Sequence, residues 1–201
     1  MADFRPTVKK HAINERKLQL HTPNASGKNA TLKFNIVKNY PRIDVYTNDD
    51  NDAKNKEPIR AAMDQPCFFL FLTLLEKAAN SKESFEETIE NKNYTFFGGK
   101  RSEKPEVISR VTVGKDEKGV IFITVSAKNR PKIKFPLAPT NWNYLIDIKT
   151  GEKIGEAKAS HYTALAWKEM LSQMIGSYIV FNFEEEEVKE QKSNQGGNNR
   201  W

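Results

Sequence analysis

A single cysteine, Cys67, occurs in 201 residues. An internal disulfide is therefore excluded, and a reducing compartment is expected. Histidine is nearly as scarce. His11, His21 and His161 are far apart and share no metal-ligand spacing, so no metal and no other cofactor is expected. Long apolar runs are missing as well. The longest, Cys67 to Leu75, is too short to span a bilayer, and the opening residues lack the apolar centre of a signal peptide. The expected setting is the cytoplasm of a bacterial or phage-infected cell, or its nucleoid, with no membrane partner. Local signatures of catalysis are absent too. Gly98-Gly99-Lys100 is too short for a phosphate-binding loop and lacks the following Ser or Thr in register. There is no nucleophile elbow and no HExxH. Asp44, Asp116 and Asp147 fall on or near strands without a spacing that marks a metal nuclease. Thr47 to Lys56 holds three Asp but neither the glycine nor the terminal Glu of a calcium loop, and reads as a solvated connection. A non-enzymatic protein is expected.

What the chain does have is positive charge, distributed unevenly. Lys and Arg number 32 against 26 Asp and Glu, a formal net charge of +6. Glu184 to Trp201 carries five Glu against Lys189, Lys192 and Arg200, or −2, which leaves +8 on residues 1–183. A basic body with an acidic tail points to a polyanionic partner and to a tail able to compete for the same surface. Residues 1–16 form a basic arm with Arg5, Lys9, Lys10 and Arg16, 17–183 a single nucleic-acid-binding domain, and 184–201 an acidic, polar tail. The tail is also a candidate handle for replication proteins.

Glu117 to Leu137 reads as two strands. Val120 to Val125 is β-branched and aromatic, Ala127 to Arg130 is a polar break, and Pro131 opens the next strand. Ile133, Phe135 and Leu137 then alternate with Lys132, Lys134 and Pro136. Period two places the apolar residues on a core face and the lysines in water. The same pattern occurs 90 residues earlier, where Lys38 to Tyr46 matches Lys128 to Pro136. A strand precedes each copy, Ala30 to Val37 in the first, with Leu32, Phe34 and Ile36 on one face. Lys17 to His21, Tyr94 to Phe97, Val107 to Val113 and Asn141 to Ile148 complete the expected strands. Ser84 to Glu90 is ambiguous.

A helix candidate follows each copy. The first begins at Asp64 or Gln65 with Pro66 in its first turn. Phe68 to Leu75 covers nearly every face, so deep burial is expected, each large side chain contributing roughly 1.5–3 kcal/mol. The second has Ser160 as its N-cap and one stripe of Ala164, Trp167, Leu171, Met174, Ile175 and Tyr178. The expected fold class is α+β: two pseudo-repeated units of antiparallel sheet plus helix, 17–81 and 94–183. An OB-fold barrel with added helices is the alternative.

Basic residues interleaved with aromatics on strands match the needs of single-strand binding. Cations neutralise phosphates, and aromatic faces stack on bases. The candidate phosphate contacts are Lys33, Lys38, Arg42, Lys128, Arg130, Lys132 and Lys134, and the candidate stacking residues are Tyr40, Tyr46 and Trp142. The function expected is sequence-independent single-stranded DNA binding in replication, recombination or repair, in a viral setting, with RNA binding or a purely regulatory protein–protein role as alternatives. A homo-oligomer is among the expected assemblies.

This layout resembles the Whirly proteins and, per unit, the PC4-like single-stranded DNA-binding fold. That family carries a Lys-Gly-Lys-Ala-Ala-Leu type motif on a strand. Gly27-Lys28-Asn29-Ala30-Thr31-Leu32 matches it at Lys28, Ala30 and Leu32, and the second half offers Lys118-Gly119-Val120-Ile121. The resemblance covers about 17–178 and implies single-stranded DNA as ligand. The basic body and acidic, aromatic-ended tail also resemble phage-type single-stranded DNA-binding proteins with an OB-fold, although Gln191 to Arg200 here separates the acids from Trp201.

Overall fold

A computed structural model describes residue 13 and residues 16–139 and 143–181. The basic arm apart from Ile13 and Arg16, the tail and Trp142 lie outside the described residues. Among the described residues the fold is α+β, with two four-stranded antiparallel sheets and two α-helices. The first sheet takes β1 (Gln19–Pro23), β2 (Asn29–Val37), β3 (Tyr40–Tyr46) and β4 (Ile59–Ala62) in chain order, and α1 (Gln65–Asn80) follows. The second sheet has the order β10-β9-β8-β5, from β5 (Phe85–Asn93), β8 (Glu106–Lys115), β9 (Ile121–Ser126) and β10 (Ile133–Pro136). A two-stranded hairpin, β6 (Phe96–Phe97) and β7 (Lys100–Arg101), is inserted before β8, and α2 (Glu156–Phe181) closes the described chain.

Alternation sets the inner faces. Ala30, Leu32, Phe34 and Ile36 of β2 are buried opposite Ile43 and Val45 of β3. In the second sheet Ile121, Ile123 and Val125 meet Ile133 and Phe135, which pair as Val125 with Ile133 and Ile123 with Phe135. Period two thus puts Lys132, Lys134 and Pro136 outward, as expected. The expected third strand likewise ends at Tyr46. The two matching stretches differ in their turns. Lys38 and Asn39 alone connect β2 to β3, with Lys38 at φ 54°. Residues 127–132 connect β9 to β10, and there Asn129 holds the positive φ of 57°. Asn accepts that conformation with little strain, whereas Lys does so less often.

Helix α1 starts where expected. The Asp64 carboxylate accepts from the Cys67 amide at 2.7 Å, and Pro66 occupies the first turn. Its expected all-round burial is corrected: Phe68, Phe71, Leu72, Leu74 and Leu75 are buried, but Phe69 and Leu70 face out. Helix α2 starts a turn earlier than the Ser160 cap implied. Ser160 is buried inside the helix, and its hydroxyl accepts from the Ile121 amide at 2.8 Å. Gly176 is tolerated within α2, which runs on to Phe181. At its far end the Tyr178 hydroxyl donates to the Lys38 carbonyl at 2.7 Å, so α2 reaches from β9 to the β2–β3 turn. Between these anchors Phe34 packs on Phe71 and Trp167, with ring centroids 6.2 and 5.5 Å apart.

Three further expectations change. The ambiguous acidic stretch is β5, an edge strand half-buried only at Phe85, Ile89 and Asn91, so the second sheet begins before residue 94. Strand β4 falls in a stretch that had no assignment. The expected strand over 141–148 is not formed by its described part. Residues 143–148 carry one bridge, Ile146 to Lys153, and Tyr144, Ile146 and Ile148 are exposed.

Candidate nucleic-acid interface

The outer face of the first sheet follows from the strands' alternation. Lys33 and Asn35 of β2 sit opposite Asp44 and Arg42 of β3, with Tyr46 opposite Thr31 and Tyr40 opposite Val37. Lys33 Nζ lies 4.7 Å from the centroid of the half-buried Tyr46 ring. That is a cation–π contact, and it keeps an ammonium beside an aromatic face. Tyr46 also lines an open cleft of about 610 Å³ with Lys28, Asn29, Asn48, Asp50, Asn55 and Lys56. The cleft forms because the connection after β3 folds back on β2: Asn48 Nδ2 donates to the Asn29 carbonyl at 2.7 Å, and Lys28 Nζ is 2.6 Å from Asp50.

Arg42 belongs to the same face but is held down. Its Nη2 donates to Asp44 Oδ2 at 2.8 Å, and Asn35 Nδ2 donates to the same oxygen at 2.6 Å. Nε is 2.8 Å from Oδ1, an ion-pair contact off the direction of a hydrogen bond. Arg60 of β4, exposed and opposite Asp44, adds a cation that no period in the sequence marks.

Lys134 lies on β10 of the second sheet and Lys132 just before it, apart from Lys33 and Arg42. Each faces an acid: Lys132 Nζ is 3.4 Å from Glu86, and Lys134 Nζ is 2.9 Å from Asp116. Lys134 also caps the Phe122 ring, 4.0 Å from its centroid. That ring covers Gly114 across the strand pair so closely that a Cβ there would lie 2.2 Å from it. Burial pushes the Asp116 carboxyl up, but hydrogen bonds from Lys134 and the Val120 amide outweigh it and hold the group below its usual range. The adjoining cleft, about 520 Å³, is lined by Glu86, Asp116 and Glu117 against Lys115, Lys118 and Lys134, a balance that offers a polyanion no net attraction.

Arg130 has a structural position. Its side chain is 8% exposed and Asp52 is 1% exposed, with Nη2 2.8 Å from the carboxylate. The same guanidinium donates to the carbonyls of Lys54 and Glu57 at 3.0 and 2.8 Å. It ties the β9–β10 connection to the loop after β3, and its donors are already taken up by a carboxylate and two carbonyls rather than offered to a phosphate. Lys38 and Lys128 are exposed in their turns, with no acidic partner among the described residues. The structure therefore brings Lys33, Tyr46, Tyr40 and Arg42 onto one face, puts Lys132 and Lys134 on another, and withdraws Arg130. Among the described residues no cluster of His, Cys, Asp or Glu could hold a metal, and no helix is long and apolar enough to cross a membrane.

Comparison with family models, with curated proteins and with solved structures finds no match to this chain. The site must be read from its own chemistry. Lys56, Asn48 and Asn55 were missed because a loop rich in Asn and Asp carries no periodicity to say which way it folds. Lys28 stood within the resemblance motif, and its place in the cleft beside Tyr46 gives that lysine a physical setting.

Proposed function

We propose that this protein binds single-stranded nucleic acid, with DNA as the main ligand, through the outer face of the first sheet and the cleft at its end. The observation that carries this reading is Tyr46: an aromatic ring in an open cleft, with Lys33 over it and Lys28 and Lys56 in the same lining. Phosphates meet the lysines, a base meets the ring, and the side-chain amides of Asn48 and Asn55 supply hydrogen bonds indifferent to sequence. Binding of this kind is non-catalytic and serves replication, recombination or repair.

The order of elements supports the same reading. Four strands that share a sheet lead into a helix, and the chain does this a second time with a hairpin inserted. A divergent duplication of a Whirly-like unit accounts for this order and for the match between Lys38 to Tyr46 and Lys128 to Pro136.

The test is fluorescence anisotropy with labelled oligonucleotides over a salt series. Single strands are expected to bind more tightly than duplex, and Tyr46→Ala to weaken them by about tenfold or more. Negligible binding that ignores salt and strandedness would remove the proposal. Competition with RNA of the same sequence separates the two sugars.

A further inference from the structure

The β6–β7 hairpin has features that neither the core nor the cleft explains. It pairs with itself, Phe96 opposite Arg101 and Phe97 opposite Lys100, and joins neither large sheet. Gly98 and Gly99 close it at φ 57° and 79°, the left-handed conformation that a two-residue hairpin turn demands and glycine supplies without strain. Space around both glycines is open. Phe96 is 71% exposed, among the most exposed aromatic side chains described. The Arg101 guanidinium stacks on Tyr94 at 3.4 Å from the ring centroid. Residues 94–104 hold Lys100, Arg101 and Lys104 against Glu103 alone, while Lys92 before them pairs with Glu90 at 3.2 Å.

Phe96 presents its ring to solvent between flanking cations, so a flat apolar group can reach it without rearrangement of the hairpin. Flanking cations make an apolar protein partner a poor cover, since their ammonium and guanidinium groups would need to be desolvated. They suit a ligand that alternates flat apolar faces with negative charge. We propose that the β6–β7 hairpin is a base-stacking finger for single-stranded nucleic acid. Phe96 takes an unpaired base on its exposed face. Arg101, pre-oriented by Tyr94, offers the free side of its guanidinium to the next base or its phosphate, and Lys100 and Lys104 meet the phosphates that flank it. The finger is a second contact for the same strand, separate from the Tyr46 cleft, and rests on the single-strand reading given above.

The experiment measures wild type, Tyr46→Ala, Phe96→Ala and the Lys100→Gln/Lys104→Gln double variant against labelled single strands of increasing length. Phe96 and both lysines are at the surface, so folding is expected to survive and is checked by circular dichroism. Phe96→Ala is expected to weaken binding about tenfold, the scale of one base stack. The double variant is expected to lower the slope of log affinity on log salt by about 0.7 for each phosphate no longer neutralised. A Phe96→Trp variant is expected to show fluorescence quenching on binding beyond that of wild type. If wild type binds single strands, Tyr46→Ala weakens it and Phe96→Ala does not, the finger is overturned and the cleft stands. If wild type binds no single strand, both are overturned together.

Discussion

Arg130 shows how a residue chosen for charge can turn out to be structural. Lys128 and Asn129 beside it sit in a turn, while its guanidinium reaches Asp52 and two carbonyls in a loop 73 or more residues earlier. Asp52 in turn accepts from Thr47 Oγ1 at 2.6 Å. Burial acts to raise the Asp52 carboxyl, yet the hydrogen bonds from Arg130, Thr47 and the Lys54 amide win and hold it below its usual range. A carboxyl depressed in the fold contributes stability that is present above its unfolded value, about 3.9, and is lost as pH falls through the lower folded value. Removing the arginine leaves that carboxylate buried with only a hydroxyl and amide for company. Arg130→Ala is expected to destabilise by on the order of 3 kcal/mol at pH 7, the low end for a severed buried pair. Urea unfolding at pH 7 and pH 3 checks it: the gap between variant and wild type should narrow in acid. An equal gap at both pH values would show that packing, not the ion pair, sets the effect.

Among elements, those with a clean period were legible, and those shaped by partners were not. β2 and the inward residues of β10 follow strict alternation, β3 departs from it only at the buried Asp44, and α1 opens on an Asp and a Pro whose roles are local. β5 carries Glu86, Glu87 and Glu90 because it is an edge, and an edge strand with one half-buried side has little alternation to read. Tyr144, Ile146 and Ile148 alternate well but form no strand, since pairing needs a neighbour that 143–148 finds only at Lys153. For the site, the outward cations were legible from period two, whereas which acids face them depends on how loops return. Ser160 is the instructive element boundary. A serine at a helix start reads as a cap, but here it satisfies an amide of the neighbouring sheet, a partner 39 residues away. Ser160→Ala would leave the buried Ile121 amide without its acceptor, at a cost of about 1–3 kcal/mol. Thermal unfolding would measure it, and hydrogen exchange should localise the loss to β9 at Ile121. Unchanged protection there would mean that α2 is held to the sheet by its apolar stripe alone.

At the scale of the molecule the controlling quantity is where net charge sits. The second-sheet cleft balances its lysines with acids, while the first-sheet cleft sets Lys28 and Lys56 against Asp50, with Lys33 beside it. The proposed polyanion would meet its cation excess on the first sheet, and the residual field of a body at +8 would add to that pull over distances up to a Debye length, about 10 Å at 0.1 M salt. Residues 184–201 carry −2 on the same chain, at a local concentration that no free competitor matches at equal dose. Deleting 184–201 is expected to strengthen single-strand affinity several-fold at low salt, with the gain shrinking as salt rises because the competition is electrostatic. The shortened chain should therefore show the steeper fall of affinity with salt, since salt weakens the tail's hold on the full chain at the same time as it weakens the nucleic acid's. Anisotropy titrations of the full and shortened chains at matched ionic strength decide it. Equal or weaker binding by the shortened chain would show that the acidic residues do not compete for the cationic face.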